Sequence, residues 1–107
     1  MPQPIGPLGE RIAESFVTRR GCVVLGRNVH ADGGEIDLVV RDGDRRVAVE
    51  VKTTSDGSDP LDAVDDVKVG LIIRTAASLR QTIDRIDVVA VAMTPSTLEV
   101  RWLLGID

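Results

Sequence analysis

The chain has 107 residues, of which 43% are hydrophobic, with one tryptophan, one phenylalanine and no tyrosine. That length suits a single domain around one aliphatic core, spanning residues 1–107, and the scarcity of aromatic rings argues against base stacking as the main route to nucleic acid. A formal charge of −4 and a single cysteine exclude a strongly basic polyanion-binding surface and a disulfide framework within the chain.

No apolar run approaches the roughly 18 residues of a membrane span, and Met1-Pro2-Gln3-Pro4 lacks a charged region followed by an apolar stretch. A cytoplasmic protein without a membrane partner is therefore expected. From Pro7 to Arg20 the apolar residues Leu8, Ile12, Ala13, Phe16 and Val17 recur at helical spacing, and Gly21 stands where a helix would end. Residues 22 to 25, which include Cys22, then read as a short buried strand. A polar loop from Gly26 to Gly34, containing Asn28 and His30, is expected to follow it.

Two strands come next, Glu35 to Arg41 and Arg45 to Thr53, with the hairpin signal Asp42-Gly43 between them. A two-residue turn there would oppose Arg41 to Asp44. In that register Ile36, Leu38 and Val40 share a face with Val47, Val49 and Val51, whereas Glu35, Asp37 and Val39 share the other with Ala48, Glu50 and Lys52. After the loop 54 to 59, Asp59-Pro60 supplies an N-cap and a first-position proline for a long second helix reaching about Leu79, with Lys68 on its apolar stripe. Ile86 to Met93 and Leu98 to Leu104 read as two more strands joined through Thr94-Pro95-Ser96. The expected fold class is α/β: a mixed sheet of about five strands flanked by helices, in the order α-β-β-β-α-β-β.

The chemistry concentrates on the polar face of the hairpin. Glu35, Asp37 and Glu50 would repel one another as they lose water, so positive charge is expected among them. Lys52 supplies one charge, and a divalent cation with oxygen ligands, Mg²⁺ or Mn²⁺, would supply the rest. Asp37 and Glu50 would be its side-chain ligands, joined by the Val51 carbonyl, and Lys52 would orient water or stabilise charge on phosphoryl oxygens. The same alternation also suits a half-exposed sheet face with ordinary cross-strand ion pairs.

Taken together, Gly9-Glu10-x-x-Ala13, Gly34-Glu35-Ile36-Asp37-Leu38-Val39 and Val49-Glu50-Val51-Lys52 resemble the YraN-like family of small bacterial proteins. That family is classed with nucleases of the PD-(D/E)XK type, with a restriction-endonuclease-like fold similar to Holliday-junction resolvases. The likeness covers roughly residues 6 to 92. It implies metal-dependent endonuclease chemistry on DNA, branched or damaged DNA included, with Asp37, Glu50 and Lys52 as the core of the site. By analogy with resolvases it also implies a homodimer.

The resemblance adds Glu10, on the first helix, as a further acidic group, although its place beside the apolar stripe equally suits a solvated side chain. It points Lys68 toward a polar pocket. Glu35, Asp87 and His30 are accessory candidates, with structural alternatives: Glu35 capping the loop or binding arginine, Asp87 in an ion pair following Arg85-Ile86, and His30 exposed on a loop. His30, Thr53, Thr54, Val69 and Leu71 stand where the family often carries polar or basic residues. A non-catalytic nucleic-acid-binding or protein-interaction module on the same fold is the alternative function.

Overall fold

The structure, a computed structural model, describes residues 5–106, so the Met1 to Pro4 segment read above lies outside it. Helix α1 (Ile5–Thr18) is followed by strands β1 (Val23–Ala31), β2 (Gly34–Asp42) and β3 (Arg45–Thr54). Helix α2 (Asp66–Ala77) then leads into β4 (Arg85–Met93) and β5 (Leu98–Leu103). The strands form one sheet in sequence order, antiparallel except for the parallel pair β3 and β4. A parallel neighbour requires a crossover, and the segment carrying α2 provides it. This five-strand mixed sheet with two helices has the expected order and is compatible with a restriction-endonuclease-like fold.

The aliphatic sequence fills both faces of the sheet. Ala13 and Val17 of α1 pack on Leu38, Val40, Val47, Val49 and Val51. Ile72 and Ala76 of α2 pack on the other side against Ile36, Val39 and Ala48. Both helices come unusually close to the sheet at a glycine. A Cβ on Gly9 would lie 1.8 Å from Thr53 Oγ1, and one on Gly34 would lie 2.5 Å from Thr75 Oγ1. Hydrogen at those positions lets α1 lie across β3, and lets the start of β2 meet α2.

Three expectations need correction. The segment from Gly26 to Gly34 is not a polar loop, since β1 continues through Ala31 and pairs with β2 as far as Ala31 opposite Gly34. Its polarity belongs to an edge strand, with a bulge between Val24 and Gly26 and an extended stretch beyond it. The helix expected from Pro60 to Leu79 is two pieces: Pro60–Ala63 is a 3-10 turn, and α2 begins only after Asp65. Aspartates cap both pieces, Asp59 accepting from Leu61 N at 3.0 Å and Asp65 from Lys68 N at 2.9 Å. Those side chains satisfy the backbone locally and restart the helix. Finally, the hairpin turn holds Gly43 and Asp44, so Arg41 faces Arg46. A shift of two residues keeps the parity of the faces.

One residue breaks that parity. Ile36 is buried on the α2 side with Val39, not with Leu38 and Val40. Its neighbour β1 turns over at the same level: Arg27 pairs with Leu38 and reaches Glu14 of α1, whereas Val29 pairs with Ile36 and packs on the α2 side. Between them Asn28 has φ 50°, the one positive φ of a non-glycine among the described residues. The left-handed backbone at Asn28 twists the ribbon, and Asp37 sits at the crossover on β2.

At β4, Asp87 is fully buried, and both of its oxygens are used. Arg85 Nε and Gly105 N donate to Oδ1, both at 2.9 Å, while Arg85 Nη2 and Trp102 Nε1 donate to Oδ2, both at 2.9 Å. Arg85 Nη2 also contacts Asp42 Oδ2 at 2.8 Å, which ties the hairpin end of β2 to β4. Asp87→Ala is expected to lower stability by about 3–5 kcal/mol in urea denaturation, because Trp102 Nε1 and Gly105 N lose their acceptor and Arg85 keeps only Asp42 of its two carboxylate partners. Gly9→Ala should cost roughly 1–3 kcal/mol by forcing α1 off Thr53. Gly70→Ala, inside α2 with open space around it, should instead raise stability by about 0.5–1 kcal/mol.

Candidate metal centre

The regular pairing of β2 with β3 runs from Asp42 opposite Arg45 to Leu38 opposite Val49 and stops there. Beyond that point the Asp37 side chain takes over, its Oδ2 accepting from Val51 N at 2.8 Å. In an extended strand the N–H and C=O of one residue face the same neighbour. The Val51 carbonyl therefore faces the side where Asp37 lies. The Glu50 carboxyl comes from the α2 face of β3, near enough for the negative charge of Asp37 to act on it. Lys52 Nζ lies 3.5 Å from Glu50 Oε1. The structure thus gathers the Asp37, Glu50 and Lys52 side chains with the Val51 main chain where two strands separate.

Burial first, and then the negative charge of Asp37 and a hydrogen bond to it, push the Glu50 carboxyl up to about 8, although Lys52 opposes the shift. Glu10, on the turn of α1 that Gly9 brings against β3, has its carboxyl raised by burial and by the charges of Asp37 and Glu35. Glu10 therefore belongs to the same acidic group, rather than to a separate solvated face.

The sequence placed Asn28 in a polar loop, before His30, and gave it no role in the site, yet it joins the rim of this group. With its amide nitrogen turned inward, it donates to Glu10 Oε1 at 2.9 Å and to Glu35 Oε1 at 2.8 Å. In the opposite orientation an amide oxygen would face two carboxylates, so the donors decide the assignment. No periodicity marks Asn28; the hint lay in an asparagine, tolerant of positive φ, inside a β-branched segment. His30 is exposed and its Nδ1 is 3.9 Å from Glu35 Oε2, which leaves it at the outer edge. Lys68 is also exposed, and lines a shallow cavity shared with Glu35, Glu50 and Lys52. Asp87 stands apart, its oxygens committed to Arg85, Trp102 and Gly105.

Among the described residues no three His, Cys, Asp or Glu side chains group so that they could hold a metal ion together. Two carboxylates with a main-chain carbonyl remain, which suits Mg²⁺ or Mn²⁺ better than zinc, since Mg²⁺ commonly takes one or two carboxylates and retains water. On the α1 side an open groove lined by Arg11, Arg27 and Asn28 reaches Asp37. Arg27 is held there by Glu14. No helix among the described residues is long and apolar enough to cross a membrane.

Residues 9–91 match the model of "Uncharacterised protein family UPF0102", the YraN family that the paired motifs resemble. A UPF0102 protein of Nocardioides sp. (strain ATCC BAA-499 / JS614) is 44% identical over 77 residues, covering 70% of this chain and 62% of the relative. One from Solibacter usitatus is 41% identical over 115 residues, covering 97% and 86%. A third, from Marinobacter nauticus, is 33% identical over 110 residues, covering 92% and 88%. With the family model spanning most of the chain and relatives aligned along nearly all of it, this protein belongs to the UPF0102 family.

Proposed function

We propose that this protein is a divalent-metal-dependent endonuclease hydrolysing phosphodiester bonds in DNA, including branched or damaged DNA. The observation that carries the reading is the meeting of Asp37, Glu50 and the Val51 edge of β3 where β2 departs, with Lys52 alongside. With both carboxyls ionised, Asp37 and Glu50 outweigh the single Lys52 ammonium, and a cation would take the place of the proton that burial favours on Glu50; hard oxygen donors fit Mg²⁺ or Mn²⁺. Asp37, Glu50 and the Val51 carbonyl would hold the cation, which would supply Lewis-acid polarisation and neutralise charge on the phosphate.

The chain's own groups provide the rest. Lys52 places an ammonium beside Glu50, where it can donate to water or to a phosphoryl oxygen as charge develops. Glu10 offers an acceptor next to Asp37 at the end of the open groove, and Lys68 offers a cation at the opposite side. Arg11 and Arg27 flank the groove, an approach for a phosphate backbone despite the overall charge of −4. One contact favours a second reading. The Glu50–Lys52 ion pair already compensates part of the site, as a non-catalytic binding module on the same fold would require.

The deciding experiment is cleavage of linear, flapped and four-way DNA in Mg²⁺ and in Mn²⁺, with Asp37→Asn as the control. Cleavage by the parent and none by the variant is expected. Full metal-dependent cleavage by Asp37→Asn would overturn the mechanism, and inactivity of the parent on every substrate would favour the module. Cation binding to the folded state should also raise the melting temperature. The gain would be about 2.7 kcal/mol at one hundred times the dissociation constant, and Asp37→Asn should lose it.

Protons compete for the same carboxylates. Because the folded Glu50 carboxyl is raised to about 8 from about 4.5, the metal-free folded state holds a proton that the unfolded chain has released within that window. Its contribution is complete below pH 4.5 and disappears as pH rises through 8. Stability of the metal-free protein should fall from about pH 5 to about pH 8 in urea titrations, and Glu50→Gln should flatten that slope.

A further inference from the structure

We propose that Asn28 is a positioning residue: its side-chain amide clamps Glu10 and Glu35 as a rim of acceptors for the water shell of a cation at Asp37 and Glu50. The inference rests on the metal-site reading above and deepens it. Asn28 lies on β1, whereas Glu10 belongs to α1 and Glu35 to β2, so the amide joins three elements. Its contacts are 2.9 Å to Glu10 Oε1 and 2.8 Å to Glu35 Oε1. A primary amide has two N–H donors and no charge, and each carboxylate keeps its second oxygen for another partner.

The backbone narrows the choice of residue. At φ 50° the position favours glycine, asparagine and aspartate. Glycine would carry no donor, and aspartate would add a third negative charge against Glu10 and Glu35. Asparagine alone satisfies the conformation and both acceptors. Among the described residues no third carboxylate groups with Asp37 and Glu50 as a direct ligand. Mg²⁺ retains several waters when it has only one or two carboxylates, and those waters need acceptors. The second oxygens of a fixed Glu10 and Glu35, the latter with only exposed His30 at 3.9 Å, meet that need, as outer-shell groups orient the inner ones in other metal sites.

The test titrates the folded protein with Mn²⁺ alone, by calorimetry, in the parent, Asn28→Gly, Glu10→Gln/Glu35→Gln and the combined triple variant. Asn28→Gly keeps the favoured φ, so the variant should fold with at most a modest drop in metal-free melting temperature, while Mn²⁺ affinity falls roughly 10-fold. In the double-glutamine background Asn28→Gly should change affinity by less than about twofold, because the groups through which it acts are gone. Parent-like Mn²⁺ affinity in Asn28→Gly overturns the inference alone. So does an undiminished loss in the double-glutamine background, which would mark a purely structural role. A parent that takes up no Mn²⁺ overturns the metal-site reading and this inference with it. Should Asn28→Gly fail to fold, Glu10→Gln/Glu35→Gln carries the test, with a comparable loss supporting the rim and unchanged affinity overturning it.

Discussion

The repulsion between the Asp37 and Glu50 carboxyl groups is the constraint around which the acidic end of the sheet is arranged. Paired strands would normally bring such residues together only with a counter-charge between them. Here the regular ladder ends at Leu38 and Val49, and the Asp37 oxygen replaces a main-chain acceptor for Val51 N. That substitution holds one carboxylate firmly while leaving the neighbouring backbone carbonyl pointed at the opening. Strand separation and charge concentration are therefore one structural event. Lys52 offsets part of the charge, and what remains defines the ligand that the site can accept.

Proximity of the helices makes this arrangement possible. Gly9 lies directly over Thr53, so α1 sits low enough on β3 for the next residue, Glu10, to feel the charge of Asp37. Gly34 does the same against Thr75 of α2, immediately before Glu35. In both motifs a glycine precedes a glutamate, and the steric role of the first explains the position of the second. Thr53 serves as the surface on which α1 rests.

Much of the fold was legible because aliphatic periodicity is dictated by burial. The faces of β3 and the order of elements follow from alternation that a two-residue change in turn position does not disturb, whereas Asp37 meets β3 from the crossover of β2, beside the groove on the α1 side. What escaped was governed by local hydrogen bonding. Polarity in β1 looked like a loop because an edge strand has little to bury. Helical spacing ran through Val64 although Asp65 caps a new start. The reversal of Ile36 depended on a single positive φ at Asn28, whose cause is visible only when its carboxylate partners are in place. Asp87, by contrast, looked chemically suggestive from its neighbours in sequence and is saturated by Arg85, Trp102 and Gly105.

The distribution of charge bears on how a polyanion could approach. A net charge of −4 disfavours long-range attraction, but two of the carboxylates lie together at the opening, and the effective charge there depends on what they bind. A divalent cation would cancel the Asp37–Glu50 pair locally and leave Lys52, Lys68 and Arg11 to offset Glu10 and Glu35, since Arg27 is already paired with Glu14. Recognition on these terms would be weak in the absence of metal and confined to the site in its presence. That differs from a basic protein that first binds the backbone anywhere and then searches.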